Sequence, residues 1–232
     1  MDRTIKDCVY GLAVGDALGV PFEFRPRDSF NATTMISGGV WNQPIGTWSD
    51  DTSMTIATCD ALRENNKKID LKAIQRNFVI WKDYDAYTAH NNTFDVGNTT
   101  AQALDRRKGL DDLYSNGNGS LMRIAPLIFI DCTDEEIAQV SAITHAHQYS
   151  IEACILYVKI GKELLKGKDL KTILDELDCS DTFTRLKNLK NLDRDSIQSG
   201  GYVVHTLEAS LWCILNTATY SSAVLAAVNL GD

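Results

Sequence analysis

Only four of the 232 residues are proline, at positions 21, 26, 44 and 126, and three of these fall between residues 20 and 45. Outside that stretch little in the sequence would stop a helix. Positive charge is also scarce: 23 Lys and Arg against 31 Asp and Glu give a formal charge of −8 and a pI near 5.0. Such a surface repels a phosphate backbone over most of its area. That excludes a general nucleic-acid binder and confines any phosphate-bearing ligand to a local site. No run approaches the ~18 consecutive apolar residues of a membrane span. Asp2, Asp7 and Asp16 interrupt the first turns of the chain, so a secretory signal is not expected there. The six cysteines, at 8, 59, 132, 154, 179 and 213, include no Cys-x-x-Cys pair, which argues against a zinc ribbon or a thioredoxin-type motif. They read as reduced structural residues of a cytoplasmic protein.

What is present is apolar residues, 44% of the chain, spaced mostly three and four apart with almost no sustained alternation. That pattern predicts an all-α fold, and the absence of a composition shift predicts one domain over residues 1–232. Helices are expected near 4–19, 52–65, 70–83, 98–108, 120–130, 134–146, 149–166, 169–178, 201–216 and 219–229. Thr133 and Glu136 form a capping box for one of them. The first helix carries Gly11, Gly15 and Gly19 on one stripe, where a second backbone is expected to pack closely. Residues 180–196 are polar and weakly patterned, while "GVPFEFRPRDSF" and "ISGGVWNQPIGTW" read as loops on the helical body.

Four stretches hold residue types that carry chemistry. "GTWSDDTSM" places Asp50 and Asp51 between Ser49 and Thr52 at the start of a helix. One acid suffices as a cap. Two, with flanking hydroxyls, are either ordinary capping or a set of hard oxygen ligands suited to Mg²⁺ or Mn²⁺. Glu23 stands between Phe22 and Phe24. It is either a surface glutamate paired with Arg25 or Arg27, or a carboxyl whose pKa is raised by aromatic neighbours that exclude water. "YSNGNGSLMRIAP" is either turn chemistry or a loop whose N–H groups cradle phosphate. In "THAHQYS", His145 and His147 would point about 200° apart on a helix, so a shared metal is not expected. Either one could bond a ligand hydroxyl or serve as a structural histidine.

In order along the chain, these stretches resemble the ADP-ribosylglycohydrolase family. The resemblance runs through "GLAVGDALGVPFEF", "GTWSDDTSM", "FDVGNTTAQAL", "NGNGSLMRIAP", "ITHAHQYSIEACILY", "SGGYVVHTLEASLWCILNT" and "AVLAAVNLGD". It implies a single compact all-helical domain with a two-ion magnesium or manganese centre, acting on ADP-ribose or an ADP-ribosylated protein. By the same resemblance, Ser49, Asp50 and Asp51 match the metal motif. Glu23 matches the acidic loop residue near the scissile ribose, with Asp51 as a second catalytic carboxylate. Gly117, Asn118, Gly119, Ser120 and Met122 match the loop contacting ribose and phosphates, His145 a ligand-contacting histidine, and Tyr202 an aromatic near the nucleotide.

The implied chemistry is metal-assisted hydrolysis at ribose C1, where oxocarbenium character develops and a carboxylate manages the proton. Two departures from the family pattern stand out. His205 occupies the place of an acid in "GGYVVHT". After "AVNLGD" the family continues into an Asp-x-Asp-Thr metal motif, whereas this sequence stops at Asp232, whose terminal carboxylate could imitate one ligand. A C-terminally incomplete chain that binds ADP-ribose or a partner without turnover is therefore the alternative expectation. Oligomeric state is left open by the sequence.

Overall fold

Short polar side chains cap the starts of several helices. The computed structural model describes residues 3–231, so Asp232, with its terminal carboxylate, lies outside the described residues. Among the described residues there are nine α-helices, α1 (Ile5–Gly19), α2 (Asp50–Glu64), α3 (Leu71–Tyr84), α4 (Asn98–Arg106), α5 (Asp134–Ser141), α6 (Gln148–Leu165), α7 (Leu170–Asp175), α8 (Val203–Leu215) and α9 (Tyr220–Val228). Asp70, Asp169 and Thr219 accept from backbone N–H groups at the starts of α3, α7 and α9. Thr133 and Glu136 make the expected capping box of α5. No strand longer than an isolated bridge occurs among the described residues, and no described helix is long and apolar enough to cross a membrane. All six cysteines are free of disulfides.

α6 runs through the middle of the molecule, with Ala153, Cys154, Leu156, Val158 and Ile160 buried on it. α5, α7 and α8 pack on it, α2 packs on α3, and the shared core holds Met54, Phe78, Trp81, Phe183 and Leu186 fully buried. Each such side chain contributes ~1.5–3 kcal/mol of transfer free energy. Residues 180–196, weakly patterned in sequence, form 3₁₀ turns at Asp181–Asn191 and Arg194–Ser196 that bury Phe183, Leu186 and Leu189.

Three expectations are corrected. Residues 120–130 are two 3₁₀ turns, Asn118–Arg123 and Ala125–Phe129, in place of one α-helix, because Pro126 has no N–H to continue the ladder. α5 ends at Ser141, well before residue 146, and residues 142–147 turn inward and carry His145. The glycine stripe of α1 faces α9 without unusual closeness. A Cβ on Gly11 would lie 3.6 Å from the Tyr220 ring, one on Gly15 3.8 Å from Val224, and one on Gly19 would meet nothing within 4 Å.

Two long-range devices place the loops. Arg27 donates to the carbonyls of Leu230 (2.6 Å), Arg194 (3.0 Å) and Ile197 (2.5 Å), and to Ser199 Oγ (3.1 Å). A Cβ on Gly231 would fall 2.5 Å from the Arg27 nitrogen, so this backbone crossing requires glycine. The second device is Asp16, on α1. Ser49, the residue preceding α2, makes no side-chain cap. Asp16 does that work from another helix, accepting from the N–H groups of Ser49 and Thr52 at 3.0 Å and from their hydroxyls at 2.8 and 2.6 Å. Loss of a cap destabilises by about 0.5–2 kcal/mol. Asp16→Ala is therefore expected to lower unfolding free energy by about that amount in urea denaturation, with an unchanged helical far-UV spectrum.

Candidate active site

A cleft of about 580 Å³ opens where the end of α1 meets the N-termini of α2 and α4, the glycine turn 117–119, and the segments around Ser199 and Gly231. Part of its lining is acidic, with Asp16, Glu23, Asp50, Asp51 and Asp95, and among the described residues no Lys or Arg lines it. Because Asp16 caps α2, Asp50 and Asp51 are not occupied as caps. Asp50 is buried at 9% exposure and Asp51 is half-buried. Both carboxyls are held well above the usual carboxylate range, first by burial. The neighbouring charges come next: Asp51 for Asp50, and Asp16, Asp95 and Glu23 for both. Asp16 is also raised, by burial, against the lowering effect of its hydrogen bonds to Thr52 and Ser49.

Glu23 follows a 3₁₀ turn, Val20–Phe22, at the end of α1. It is not a surface glutamate paired with its arginines: Arg27 is engaged elsewhere, and Arg25 lies over the Phe30 ring at 4.8 Å. Trp41 Nε1 donates to Glu23 Oε2, and Asp95 shares a hydrogen bond with the same carboxyl. The aromatic shelter differs from the expected one. Phe22 is buried, but Phe24 is 60% exposed, and the ring against Glu23 is Trp41, which packs on Phe94 with centroids 5.8 Å apart. Burial, then the Asp95 charge, push the Glu23 carboxyl up to about 8, against the Trp41 hydrogen bond that lowers it. Phe24 (φ 59°) and Asp95 (φ 57°), flanking this carboxyl, both hold left-handed backbone that costs a non-glycine residue roughly 1–2 kcal/mol.

The rest of the lining is made of donors and small residues. Gly97, Asn98, Thr99 and Thr100 at the N-terminus of α4 line it, with Gly117, Asn118, Gly119, Met122 and His145. The glycine turn is held to the segment before α8 by Asn118 N–H donating to Gly201 O (2.9 Å) and Val203 N–H to Asn116 O (2.9 Å). His145 is buried at 2% exposure, and burial, then the nearby Arg123 charge, lower its pKa to about 3, so the imidazole is neutral.

Of the residues expected from sequence, Glu23, Asp50, Asp51, Gly117, Asn118, Gly119, Met122 and His145 line the cleft. Ser120 does not: it is fully buried beneath the turn, its Oγ accepting from Ser141 and Cys154. Tyr202 does not line it either, standing at the start of α8 edge-on to His205 at 4.9 Å. Ser49 is buried behind Asp50 with its hydroxyl proton donated to Asp16, which leaves its oxygen lone pairs available. His147 accepts from Tyr149 N–H and is a helix cap. Sequence reasoning missed Asp16, Trp41 and Asp95. Asp95 sits in the quoted "FDVGNTT", where an acid just before a helix was a signal.

The Glu23 carboxyl gives a pH-dependent stability. Unfolded, it loses its proton near 4.5; folded, near 8. Between those values the folded chain binds more protons, so stability falls as pH rises through that window. Asp95→Asn removes the charge that most raises the carboxyl after burial. In chelator-treated protein, urea denaturation from pH 5 to 9 is expected to show this decline ending at lower pH in the variant than in wild type.

The comparisons agree with this architecture. The family model described as ADP-ribosylglycohydrolase matches residues 1–232. The ADP-ribosylarginine hydrolase Tri1 of Pseudomonas putida (strain GB-1) is 33% identical over 248 residues, covering 100% of this chain and 66% of the relative. The ADP-ribosyl-[dinitrogen reductase] glycohydrolase of Rhodospirillum rubrum is 28% identical over 241 residues, covering 95% of this chain and 77% of the relative. A solved structure titled "ADP-ribosylglycohydrolase-related protein complex" superposes with a TM-score of 0.77 at 26% identity, over 96% of this chain and 79% of that one. The chain thus spans about two thirds of the length of the Pseudomonas relative. On its sequence and its fold alike, the chain belongs to the ADP-ribosylglycohydrolase family.

Proposed function

We propose that this chain removes ADP-ribose from a modified acceptor by hydrolysis of the bond at ribose C1, with Mg²⁺ or Mn²⁺ bound at the acidic part of the lining. The observation that carries this reading is one cleft lined both by a set of carboxylates and by N–H and hydroxyl donors. A nucleotide sugar needs both: hydroxyl donors meet carboxylates, and phosphate oxygens meet N–H groups.

The donor set suits a hard divalent cation. Five carboxylates line the cleft and, among the described residues, no lysine or arginine lines it; burial, and after it the neighbouring negative charges, hold the carboxyls of Glu23, Asp50 and Asp51 above their usual range. Asp50, Asp51 and the Ser49 oxygen would be ligands. Among the described residues, no group of three or more His, Cys, Asp or Glu is arranged to hold a metal ion by itself. An ion here would take the rest of its shell from water and substrate, as Mg²⁺ commonly does. Bound, it would supply Lewis-acid polarisation and fix the ribose hydroxyls.

The chain's own residues supply the proton chemistry. Glu23, protonated up to about pH 8, is placed to give its proton to the departing acceptor atom as the C1 bond breaks, and its carboxylate then takes one from the water that adds to C1. Trp41 holds the carboxyl's other oxygen in place. The Pseudomonas relative is named for ADP-ribosylarginine, so arginine-linked ADP-ribose is the first acceptor to try.

Release of free ADP-ribose from an arginine-modified protein, followed by chromatography with Mg²⁺ and then with chelator, tests the proposal. Wild type is expected to turn over with Mg²⁺ only. Glu23→Gln should lower kcat about 10²–10⁴-fold, and Asp50→Ala and Asp51→Ala should abolish the Mg²⁺ response. ADP-ribose binding without release and without metal dependence would instead establish a binding protein.

A further inference from the structure

His145 enters the cleft from the turn after α5, and its two ring nitrogens have different company. A Cβ added to Gly119 would lie 2.7 Å from His145 Cε1 and 3.2 Å from Nε2, and one on Gly117 3.7 Å from Nε2. The Nε2 edge therefore rests against the glycine turn at the cleft wall, and Nε2 has no hydrogen-bond partner within the described protein.

The other edge is embedded. Nδ1 lies 2.9 Å from Thr144 Oγ1, which lies 2.8 Å from Arg123 Nη2. Thr144 and Arg123 are both fully buried. The guanidinium is itself fixed, stacked 4.4 Å from the Phe78 ring centroid and donating to Val140 O at 3.3 Å. A guanidinium only donates, so Thr144 Oγ1 accepts from it. The hydroxyl proton must then go elsewhere, and Nδ1 is its one acceptor in that pocket. Were Nδ1 to carry the hydrogen and donate instead, the threonine proton would be stranded in the core without an acceptor, which is unfavourable for a buried donor. A neutral imidazole has a single N–H, so accepting at Nδ1 puts it on Nε2.

We infer that Arg123 and Thr144 are positioning residues that fix His145 as its Nε2–H tautomer, making it a hydrogen-bond donor to an acceptor-only oxygen of the ligand, such as a phosphate oxygen. His145 then cannot take a proton from water through Nε2, because that nitrogen has no lone pair to offer in the ring plane. The sharp requirement for glycine at 119 has the same origin, since any side chain there displaces the donating edge. Only the identity of the ligand rests on the proposed function; the tautomer is a property of the fold.

Nitrogen-15 NMR of the imidazole rings in uniformly labelled protein tests this, with His145 assigned by the signal lost in His145→Gln. Wild type is expected to show the Nε2–H form alone. Thr144→Val, which keeps the volume and removes the hydroxyl, should bring in the Nδ1–H form and weaken ADP-ribose binding about 5- to 10-fold, the equivalent of one hydrogen bond. Thr144→Ser should restore both. A wild-type Nδ1–H form, or an unchanged tautomer in Thr144→Val, would overturn the inference, including where that variant is merely less stable. A wild-type Nε2–H form with no response to ADP-ribose would support the relay and count against the proposed function.

Discussion

The site rests on one carboxylate that performs a structural task for its neighbours. Asp16, on α1, satisfies two N–H groups and two hydroxyls at the start of α2. A helix that began with its own cap would draw Asp50 or Asp51 back onto its first turn. With the cap supplied across the helix interface, both carboxyls face the cleft at the positive end of the α2 dipole. The same contact fixes α1 against α2, and therefore sets where the turn bearing Glu23 emerges.

The accumulated negative charge would be costly in a closed core. Here it is tolerated because the carboxyls border open cleft, and because burial and their mutual charge raise the pKa of Glu23, Asp50 and Asp51. The rest of the lining has no acidic group and keeps its one imidazole neutral. Two electrostatic environments thus share about 580 Å³ of space. The N-terminus of α4 and the glycine turn make one, and carboxylates from the end of α1 and the turn after it, the first turn of α2 and the stretch before α4 make the other.

Much of this was legible in the sequence, and what was not has a physical explanation. The 3.6-residue period found all nine helices to within a few residues, because amphipathic spacing is local information. It failed at 120–130, where the apolar spacing survives in 3₁₀ geometry and Pro126 was the clue, and at the end of α5, where Ile143 stays buried after the helix has stopped. Glu23, Asp50, Asp51 and His145 were visible as unusual residues in context. Asp16 looked like a polar break in a glycine-striped helix, since its partners lie more than thirty positions away. Trp41 and Asp95 reach Glu23 only through the tertiary fold. Ser120 and Tyr202 sit in the right segments but point elsewhere, a distinction between neighbouring residues that a motif does not carry.

The Arg27 clamp also has a meaning in time. Its Nε bonds the carbonyl of Leu230, 203 positions downstream. At a ribosomal rate of ~5–20 residues per second, roughly 10–40 s separate the synthesis of the two. During that interval the Glu23 loop lacks its anchor, while helices in the middle of the chain already have local partners. The acidic loop is thus among the last pieces to settle.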